Sequence, residues 1–315
     1  IKSLMWHGTD MKRIIFSIYN EIVDDNLEKN NPYSGDTISK SQRTKLQFKK
    51  YFNQLVHVKE KYAKICQADY KLYSANSDNN YFVEFKKKYE HAFTVEYDLI
   101  NFFKIYLFEK LTSEYDEIVY FDFDVIPNTD YSIFKHHNLD TINVLGINSK
   151  KENIWSIHDL NQLKRDKKPL DEIVQIFDKQ NLYCKLMTKK SMLATQGIMG
   201  NDYITNTGIL AGNKSSINNL KFFDDFETKI NILSQAIEEQ MFGKSLSEKY
   251  FLNNEIFFSY HLENKNIKWN NLTQDWHYMM MSGNLRAPRD ELERAHLIHV
   301  MNKDFERILN LCGTE

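Results

Sequence analysis

The chain has 315 residues, 42% of them hydrophobic and 14% aromatic, so it can bury one large hydrophobic core or two smaller ones. Its 41 basic and 43 acidic side chains leave a net charge of −2, which gives no electrostatic reason to expect a nucleic-acid partner. With 4 prolines and 10 glycines in the whole chain, long disordered linkers are not expected.

Three cysteines, Cys66, Cys184 and Cys312, are far apart and form no C-x-x-C pair. This spacing predicts free thiols in a reducing, cytoplasmic compartment and argues against a disulfide framework or a zinc site. No run approaches the roughly 18 apolar residues of a membrane-spanning helix, so no transmembrane segment is expected. Residues 1–10 carry no signal-peptide pattern and are interpreted as a leader or an upstream extension.

The first part of the chain alternates between short apolar runs and one long amphipathic segment. A β-rich run at Arg13–Asn20 predicts a buried strand, and residues 68–73 predict a second one. Between them, apolar side chains recur at steps of three and four residues, which predicts a helix. These side chains are Phe48, Phe52, Leu55, Val58, Tyr62 and Ile65.

The same alternation continues toward the middle of the chain. Residues 74–92 are polar and predict a loop with a short element, followed by a helix from about 95 to 111. Strands are predicted at Glu117–Val125 and at Thr141–Ile147. This β-α-β-α-β order predicts an α/β fold with a mainly parallel central sheet and helices on both faces.

The second half of the chain begins with a charged, helical segment at about residues 148–196. Its lysines predict a solvated surface, and the functional alternative is a lid or an acceptor-side insertion. The remaining elements are predicted as a strand at 204–212, helices at about 215–242 and 254–264, a strand at 296–301 and a short C-terminal helix. We interpret residues 11–315 as one domain that carries the segment at 148–196 as an insertion.

Two aspartates end the predicted strand at 117–125. Asp122 and Asp124 form the single D-x-D of the chain, and strand alternation would place both carboxylates on one face while Phe123 points away. The carboxyl edge of a parallel sheet faces the crevice where ligands bind. Two carboxylates held close repel each other unless a cation lies between them, and hard oxygen ligands suit Mg²⁺ or Mn²⁺. The pattern therefore predicts a divalent-metal site, with a solvated acidic loop as the alternative.

The segment Tyr115–Pro127 resembles the D-x-D strand of GT-A fold glycosyltransferases. The order of the other motifs is similar to that of glycosyltransferase family 8 and related viral and bacterial enzymes, over roughly residues 12–305. These motifs are the N-terminal strand, Lys61-Tyr-Ala63, the helix with Lys104, Asn206-Thr-Gly208 and His299-x-x-x-Lys303. The resemblance implies a GT-A (Rossmann-like) fold and transfer of a sugar from a nucleoside diphosphate donor, preferably UDP-linked. The acceptor would be a hydroxyl of a glycan, glycolipid or glycoprotein.

Carried over position by position, the resemblance implies a Mn²⁺ or Mg²⁺ ion bound by Asp122, Asp124 and His299. It also implies that Asp122 contacts the ribose, that Lys303 binds the diphosphate and that Lys104 lies on the donor side. These roles fit the chemistry, because a departing nucleoside diphosphate accumulates negative charge that a divalent cation and a lysine stabilise. The family has a His-x-x-Gly-x-x-Lys motif, whereas the lysine here comes sooner and the glycine is missing.

The resemblance also implies a sugar pocket lined by Asn206 and Gly208, with Asn206 among the catalytic residues, and a nucleotide base near Ser17 and Tyr19. Glu255 lies in the first turn of a predicted amphipathic helix. There it can bind substrate hydroxyls or act as a base, and the structural alternative is a first-turn glutamate favoured by the helix dipole.

Two further side chains have both a functional and a structural interpretation. Asp275 lies beside Trp276 in a polar turn, where the carboxylate can bind sugar hydroxyls and the indole can stack on a sugar ring. For Trp276 the alternative is an anchor in the hydrophobic core. For His299 the alternative to a metal ligand is a satisfied core histidine.

Two other functions remain open at this stage. Phe121–Ile126 also fits the nucleophile strand of haloacid-dehalogenase-type phosphatases, with Asp122 phosphorylated and Asp124 as the acid/base. In those enzymes that strand opens the domain, whereas here two predicted strands precede it. No downstream G-D-x-x-x-D motif occurs either, although Asp224-Asp225 is a weak match to it. The other hypothesis is a non-catalytic module that binds a nucleotide or a glycan.

Overall fold

A computed structural model describes residues 11–21, 40–94, 96–148, 182, 184–238, 252–280 and 288–313. The predicted leader at residues 1–10 and residues 149–181 of the predicted insertion lie outside the described residues. The described strands are β1 (Arg13–Tyr19), β2 (Asp69–Ser74), β3 (Glu117–Phe121), β4 (Val125–Pro127), β5 (Ile142–Asn148), β6 (Tyr203–Asn213), β7 (Trp269–Asn271), β8 (Tyr278–Met279) and β9 (Leu297–His299). The described helices are α1 (Lys40–Cys66), α2 (Asn80–Tyr89), α3 (Glu96–Lys110), α4 (Ile133–His136), α5 (184–194), α6 (Lys214–Asn218), α7 (Phe226–Glu238), α8 (Asn254–Asn264), α9 (Arg289–Arg294) and α10 (Phe305–Leu311).

The main sheet has six strands in the order β2-β1-β3-β6-β5-β7. Strand β1 is parallel to β2 and β3, and β5 is parallel to β7. Strand β6 is antiparallel to both of its neighbours, β3 and β5, so five of the six strands run in one direction. The predicted α/β fold with a mainly parallel central sheet is therefore confirmed.

Helices cover both faces of this sheet, as the alternating pattern predicted. On one face, Phe16 of β1 packs in a cluster that includes Phe85 of α2, Phe102 of α3 and Phe257 of α8. On the other face, Ile15 of β1 packs with Tyr62 of α1. Because successive strand residues point to opposite faces, β1 contributes to both clusters and is buried on both sides.

A second sheet lies beyond the carboxyl end of β3. Its three short strands have the order β4-β9-β8, with β4 antiparallel to β9 and β8 parallel to β9. The sequence analysis joined β3 and β4 into one strand at 117–125, which is wrong. The apolar residues continue without interruption, but a turn at residues 122–124 redirects the chain from the main sheet into the second one.

The helix α2 was also missed, because residues 74–92 were predicted to be mainly loop. Its start is capped by Asn79, whose side chain accepts a hydrogen bond from the amide of Tyr81. Its buried side chains, Phe82, Phe85 and Tyr89, follow the helical spacing within an otherwise polar segment.

The helix predicted at 215–242 is divided into α6 and α7 by a segment in which Lys221 has a positive φ of 47°. Among the described helices, none is long and apolar enough to cross a membrane.

The helix α8 carries a fully buried histidine, His261. Nε2 of His261 lies 2.6 Å from the carbonyl oxygen of Leu220, so this nitrogen carries the proton of the neutral ring. Burial and the nearby ammonium of Lys229 lower the pKa of His261 to about 4, against the opposing effects of the hydrogen bond to Leu220 and of Asp225. The unfolded chain takes up a proton near pH 6.5, whereas the folded chain does so only near pH 4.

We expect the stabilisation from this neutral His261 to be complete above pH 6.5 and to be lost as the pH falls toward 4. The loss in the free energy of unfolding should approach about 3 kcal/mol. Urea denaturation at a series of pH values measures it, and His261→Gln should flatten the profile in this range. The matched control is His91→Gln, at an exposed histidine, which should keep the wild-type profile. Equal profiles for wild type and His261→Gln would contradict the prediction.

Candidate functional site

The two carboxylates of the D-x-D lie in a tight turn at the carboxyl end of β3. The amide of Val125 donates a 2.9 Å hydrogen bond to the carbonyl oxygen of Asp122, which closes the turn. The side chain of Phe123 points into an aromatic cluster with Tyr19, Phe48 and Phe52. The predicted arrangement, with both carboxylates on one side and Phe123 away from them, is thus found, but a turn produces it and not strand alternation.

Pairing of β4 with β9 brings His299 to these carboxylates. Val125 lies opposite His299, and the amide of Val300 donates a 2.9 Å hydrogen bond to the carbonyl oxygen of Asp124. Nε2 of His299 is 3.3 Å from Oδ1 of Asp124 and 3.7 Å from Oδ2 of Asp122. Asp122, Asp124 and His299 each offer one ligand atom, and these three atoms all lie within 4.8 Å of one another. In the described part of the chain this is the one group of three or more His, Cys, Asp or Glu side chains that meets this criterion. Two carboxylates and an imidazole at this spacing fit a Mn²⁺ or Mg²⁺ ion.

Each carboxylate also has a lysine partner. Nζ of Lys104, on α3, is 3.2 Å from Oδ1 of Asp122, and Lys303 pairs directly with Oδ2 of Asp124. Burial opposes ionisation of Asp124, but the nearby Lys303 and His299 outweigh it and hold the pKa of Asp124 well below its usual range. Protein cations therefore offset the repulsion between the two carboxylates that was expected from the sequence.

The backbone of Lys303 is in the left-handed region, with φ of 62°. This conformation is the one that glycine adopts most easily, and a lysine pays a modest strain for it. The residue lies between the end of β9 and the start of α10, and its ammonium reaches back to Asp124. The bend at Lys303 thus lets the short His-x-x-x-Lys spacing bring both side chains to the same carboxylate.

A third lysine, missed in the sequence, supports the turn from inside the protein. Lys59 of α1 is fully buried, and its Nζ donates hydrogen bonds to the carbonyl oxygens of Phe123, at 2.8 Å, and Leu55, at 3.1 Å. Burial lowers the pKa of Lys59 to about 7, against the opposing effects of Asp124 and Asp122. The available signal was a lysine on the apolar stripe of α1, between Leu55 and Tyr62.

Strand β6 places Asn206 and Gly208 beside Asp122. The amide of Asp122 donates a 2.7 Å hydrogen bond to the carbonyl oxygen of Gly208, and the amide of Gly208 donates a 3.0 Å hydrogen bond to Oδ1 of Asn206. A Cβ atom at position 208 would lie only 2.4 Å from Cε1 and 2.6 Å from Nδ1 of His299. Glycine is therefore required here for the close approach of the histidine ring to β6.

Glu255 connects Asn206 to a lysine of α5. Its Oε1 accepts a 2.8 Å hydrogen bond from Nδ2 of Asn206, and its Oε2 pairs with Lys185. Asn253 caps the start of α8 and fixes Glu255 in the first turn, as predicted. The helix is buried on most sides and is not amphipathic, so this part of the prediction is wrong. Lys185 was missed because it belongs to a segment rich in lysines.

The other candidate residues make none of the contacts described above around Asp122, Asp124 and His299. Ser17 is fully buried within β1, and Tyr19 packs in the aromatic cluster around Phe123. Asp275 is exposed, and its carbonyl oxygen accepts a 2.6 Å hydrogen bond from the amide of His296. Their roles toward the base and the substrate hydroxyls stay predictions. Trp276 is buried against His137 and His296, as expected of a core anchor.

A cavity of about 500 Å³ lies at the carboxyl ends of β1 and β2. Asn20, Asn76, Phe82 and Lys86 are among the residues that line it. The carboxyl end of parallel strands is where nucleotides bind in open α/β sheets. The D-x-D turn follows β3, which is the neighbour of β1 in the same sheet.

The fold and the cluster define a mixed α/β protein with a D-x-D turn at the carboxyl edge of its central sheet. No protein-family model and no curated protein sequence matches the chain. Among similar solved structures is a glycosyltransferase involved in the glycosylation of the major capsid of PBCV-1, with 11% identity and a TM-score of 0.40 over 95% of this chain and 98% of that one. The galactosyltransferase LgtC has 12% identity and a TM-score of 0.40 over 96% and 95% of the two chains. Mouse xyloside xylosyltransferase 1 has 8% identity and a TM-score of 0.42 over 92% and 97%. All three are glycosyltransferases.

Proposed function

We propose that this protein is a metal-dependent glycosyltransferase that moves a sugar from a nucleoside diphosphate donor, with UDP-sugars preferred, to a hydroxyl of a glycan, glycolipid or glycoprotein. One observation carries the proposal. Asp122, Asp124 and His299 converge within 4.8 Å, and the ammonium groups of Lys104 and Lys303 lie against the same two carboxylates.

The charges of this cluster favour a metal together with a diphosphate. The two carboxylates and the two ammonium groups sum to zero. A divalent cation added to them makes the site strongly positive, and a diphosphate is the kind of anion that neutralises such a site. Mn²⁺ is preferred over Mg²⁺ because an imidazole is one of the ligands. When bound, the ion stabilises negative charge on the leaving diphosphate.

The side chains have separate roles in this proposal. Asp122, Asp124 and His299 hold the ion, while Lys303 and Lys104 are free to turn toward phosphate oxygens once the ion has replaced them on the carboxylates.

A second group of side chains acts on the sugar and the acceptor. Asn206 and Gly208 line the sugar pocket. Glu255, with both oxygens engaged, orients the amide of Asn206, and Asp275 is assigned to substrate hydroxyls. The nucleoside extends toward β1, with Ser17 and Tyr19 near the base.

The proposal also covers domain organisation and location. Residues 11–315 form one catalytic domain, and the cytoplasmic location predicted from the cysteines is part of the same proposal.

The contacts of Asp122 make the phosphatase hypothesis less favourable. Its Oδ1 accepts a hydrogen bond from the hydroxyl of Tyr120 and pairs with Lys104, which leaves only Oδ2 of Asp122 as a candidate nucleophile. In addition, β3 is preceded in the chain by β1, α1, β2, α2 and α3, whereas the phosphatase nucleophile strand opens its domain.

Calorimetric titration with UDP tests the proposal. We expect UDP to bind in the presence of Mn²⁺ and its affinity to fall more than about 10-fold in EDTA, because the ion supplies the main positive charge of the site. Lys303→Met should weaken UDP about 10-fold or more by removing a charge-assisted hydrogen bond to phosphate. The matched control is Lys268→Met, at an exposed lysine, which should bind as the wild type does.

A panel of UDP-, GDP-, CDP- and dTDP-sugars, assayed for hydrolysis and for transfer, then identifies the base. Equal UDP affinity with Mn²⁺ and with EDTA would contradict the metal role. Cleavage of p-nitrophenyl phosphate without sugar transfer would favour the phosphatase instead. Donor binding without transfer or hydrolysis would favour a non-catalytic module.

A further inference from the structure

His277 is a fully buried imidazole that contacts His299. Nε2 of His277 lies 3.1 Å from Nδ1 of His299, and the two rings are nearly parallel, with an interplanar angle of 29°. Their positions follow from the second sheet, in which β8 pairs in parallel with β9 and Met279 lies opposite His299. His277 immediately precedes β8 and so is fixed by the same pairing.

The ring of His299 is held on three sides. Its Nε2 faces the carboxylates of Asp124 and Asp122, and its Nδ1 faces His277. Its Cε1 lies close against Gly208, where even a Cβ atom would not fit. Since the ring cannot turn over without losing these contacts, the two nitrogens have fixed and different partners.

The nitrogen–nitrogen contact places one proton between the two rings, because a hydrogen bond needs one donor and one acceptor. To bind a metal, Nε2 of His299 must present its lone pair, so the neutral ring must carry its proton on Nδ1. That proton points at Nε2 of His277. A metal-binding histidine usually donates this second N–H to a carboxylate, a carbonyl oxygen or water, whereas here the partner is another imidazole.

We propose that His277 is a positioning residue of the metal site, which accepts the Nδ1–H of His299 and thereby selects the tautomer whose Nε2 faces the ion. The proposal rests on the role of His299 as a metal ligand in the proposed function, and it adds the group that sets the orientation and protonation of that ligand. When His277 accepts at Nε2, its own proton lies on Nδ1. In the described part of the chain that atom is buried without a hydrogen-bond partner.

A histidine that only fills the core would also be buried. The test must therefore separate the loss of the hydrogen-bond acceptor at position 277 from the loss of side-chain volume. Glutamine can accept the Nδ1–H through its side-chain oxygen, whereas phenylalanine and leucine cannot. His277→Gln is therefore the rescue variant, and His277→Phe, with His277→Leu as the smaller alternative, removes the acceptor. Circular dichroism and thermal unfolding confirm that each variant of the full chain is folded.

The first measurement is Mn²⁺ affinity by calorimetry for the wild type, His277→Gln, His277→Phe and His299→Ala. We expect His277→Phe to weaken Mn²⁺ by about 10–100-fold, the usual effect of removing the partner of a metal-binding histidine. His277→Gln should stay within a few-fold of the wild type. His299→Ala should weaken Mn²⁺ at least as much as His277→Phe.

The second measurement is the ¹⁵N shift of the imidazole nitrogens in histidine-labelled protein, with Zn²⁺ as a diamagnetic probe ion. Nδ1 of His299 should be protonated and Nε2 bound to the ion in the wild type and in His277→Gln. An unprotonated Nδ1 in the Zn²⁺-loaded wild type would overturn the proposal even if no apolar variant folds.

The affinities distinguish the ways in which the proposal can fail. If His299→Ala weakens Mn²⁺ but folded His277→Phe does not, His277 has no positioning role, while the metal site stands. If His277→Gln and His277→Phe lose affinity equally, the acceptor is not the reason and the proposal is overturned. If His299→Ala binds Mn²⁺ as the wild type does, the metal role of His299 fails, and the proposal for His277 fails with it.

Discussion

Under the proposed function, replacing Asp124 with asparagine should lower glycosyl transfer by at least about 10³-fold, because the proposed metal site loses one ligand and one negative charge. Asp124 contacts both of the C-terminal side chains of the site. Its Oδ1 lies 3.3 Å from Nε2 of His299, and its Oδ2 pairs with Lys303. An amide keeps the shape of the side chain but is a weaker ligand for a hard cation. Initial rates at saturating donor, measured over a range of Mn²⁺ concentrations, give both the loss in rate and the shift in the metal requirement.

The same substitution should destabilise the fold by about 1–3 kcal/mol, because a partly buried lysine and a buried histidine lose their carboxylate partner. The repulsion expected from the sequence between two neighbouring carboxylates would act in the opposite direction, but Lys303 and His299 offset it here. The matched control is Asp290→Asn, at an exposed aspartate of α9, which should leave activity and stability unchanged. Wild-type activity in folded Asp124→Asn would remove Asp124 from the site.

Gly208→Ala should weaken Mn²⁺ and slow transfer by about 10²-fold, as expected when a metal-binding histidine is displaced. The added Cβ atom would lie 2.4 Å from Cε1 and 2.6 Å from Nδ1 of His299, distances that no pair of unbonded heavy atoms of this kind tolerates. The ring cannot retreat freely, because His277 lies 3.1 Å behind its Nδ1. We therefore expect the ring to move relative to Asp124, and calorimetry with Mn²⁺ measures the consequence.

Gly212→Ala is the matched control on the same strand. Its Cβ atom would lie 2.8 Å from Oγ of Ser216 and 3.0 Å from Cγ1 of Ile217, so it introduces comparable crowding away from His299. Both variants should lose about 1–3 kcal/mol of stability from overpacking. Only Gly208→Ala should lose metal affinity, and equal Mn²⁺ affinities for the two folded variants would show that crowding at His299 does not matter.

Features that depend on neighbours in the sequence could be predicted well. The apolar run before Asp122 identifies a buried strand, and the carboxyl edge of a parallel sheet then indicates where its aspartates lie. The regular spacing of Leu55, Val58 and Tyr62 identifies α1 in the same way. The fold class follows from such local signals, because the order of strands and helices restricts the possible topologies.

Contacts that depend on pairing between distant short segments could not be predicted. His277 reaches His299 only through β8 and β9, which have two and three residues and therefore show no usable alternation. Lys59 occupies an ordinary helical position until the turn at Phe123 is folded above it. Lys185 acquires a partner only when α5 packs near Glu255 of α8. For each of them the sequence supplies a residue type but not its neighbour.

The two lysine–aspartate pairs, Lys104 with Asp122 and Lys303 with Asp124, have a consequence for how the protein is made and kept. Many small metal-binding domains gain much of their folding free energy from the ion and denature when a chelator removes it. Here the carboxylates are neutralised by the chain itself, so the polypeptide can reach its native state before any ion arrives. Under the proposed function, loading with metal is an exchange of one set of cations for another, and we expect it to raise the melting temperature only by the mass-action contribution of an ordinary ligand. A metal-dependent enzyme built in this way would stay folded but inactive while the metal is scarce, and it would recover without refolding when the ion returns.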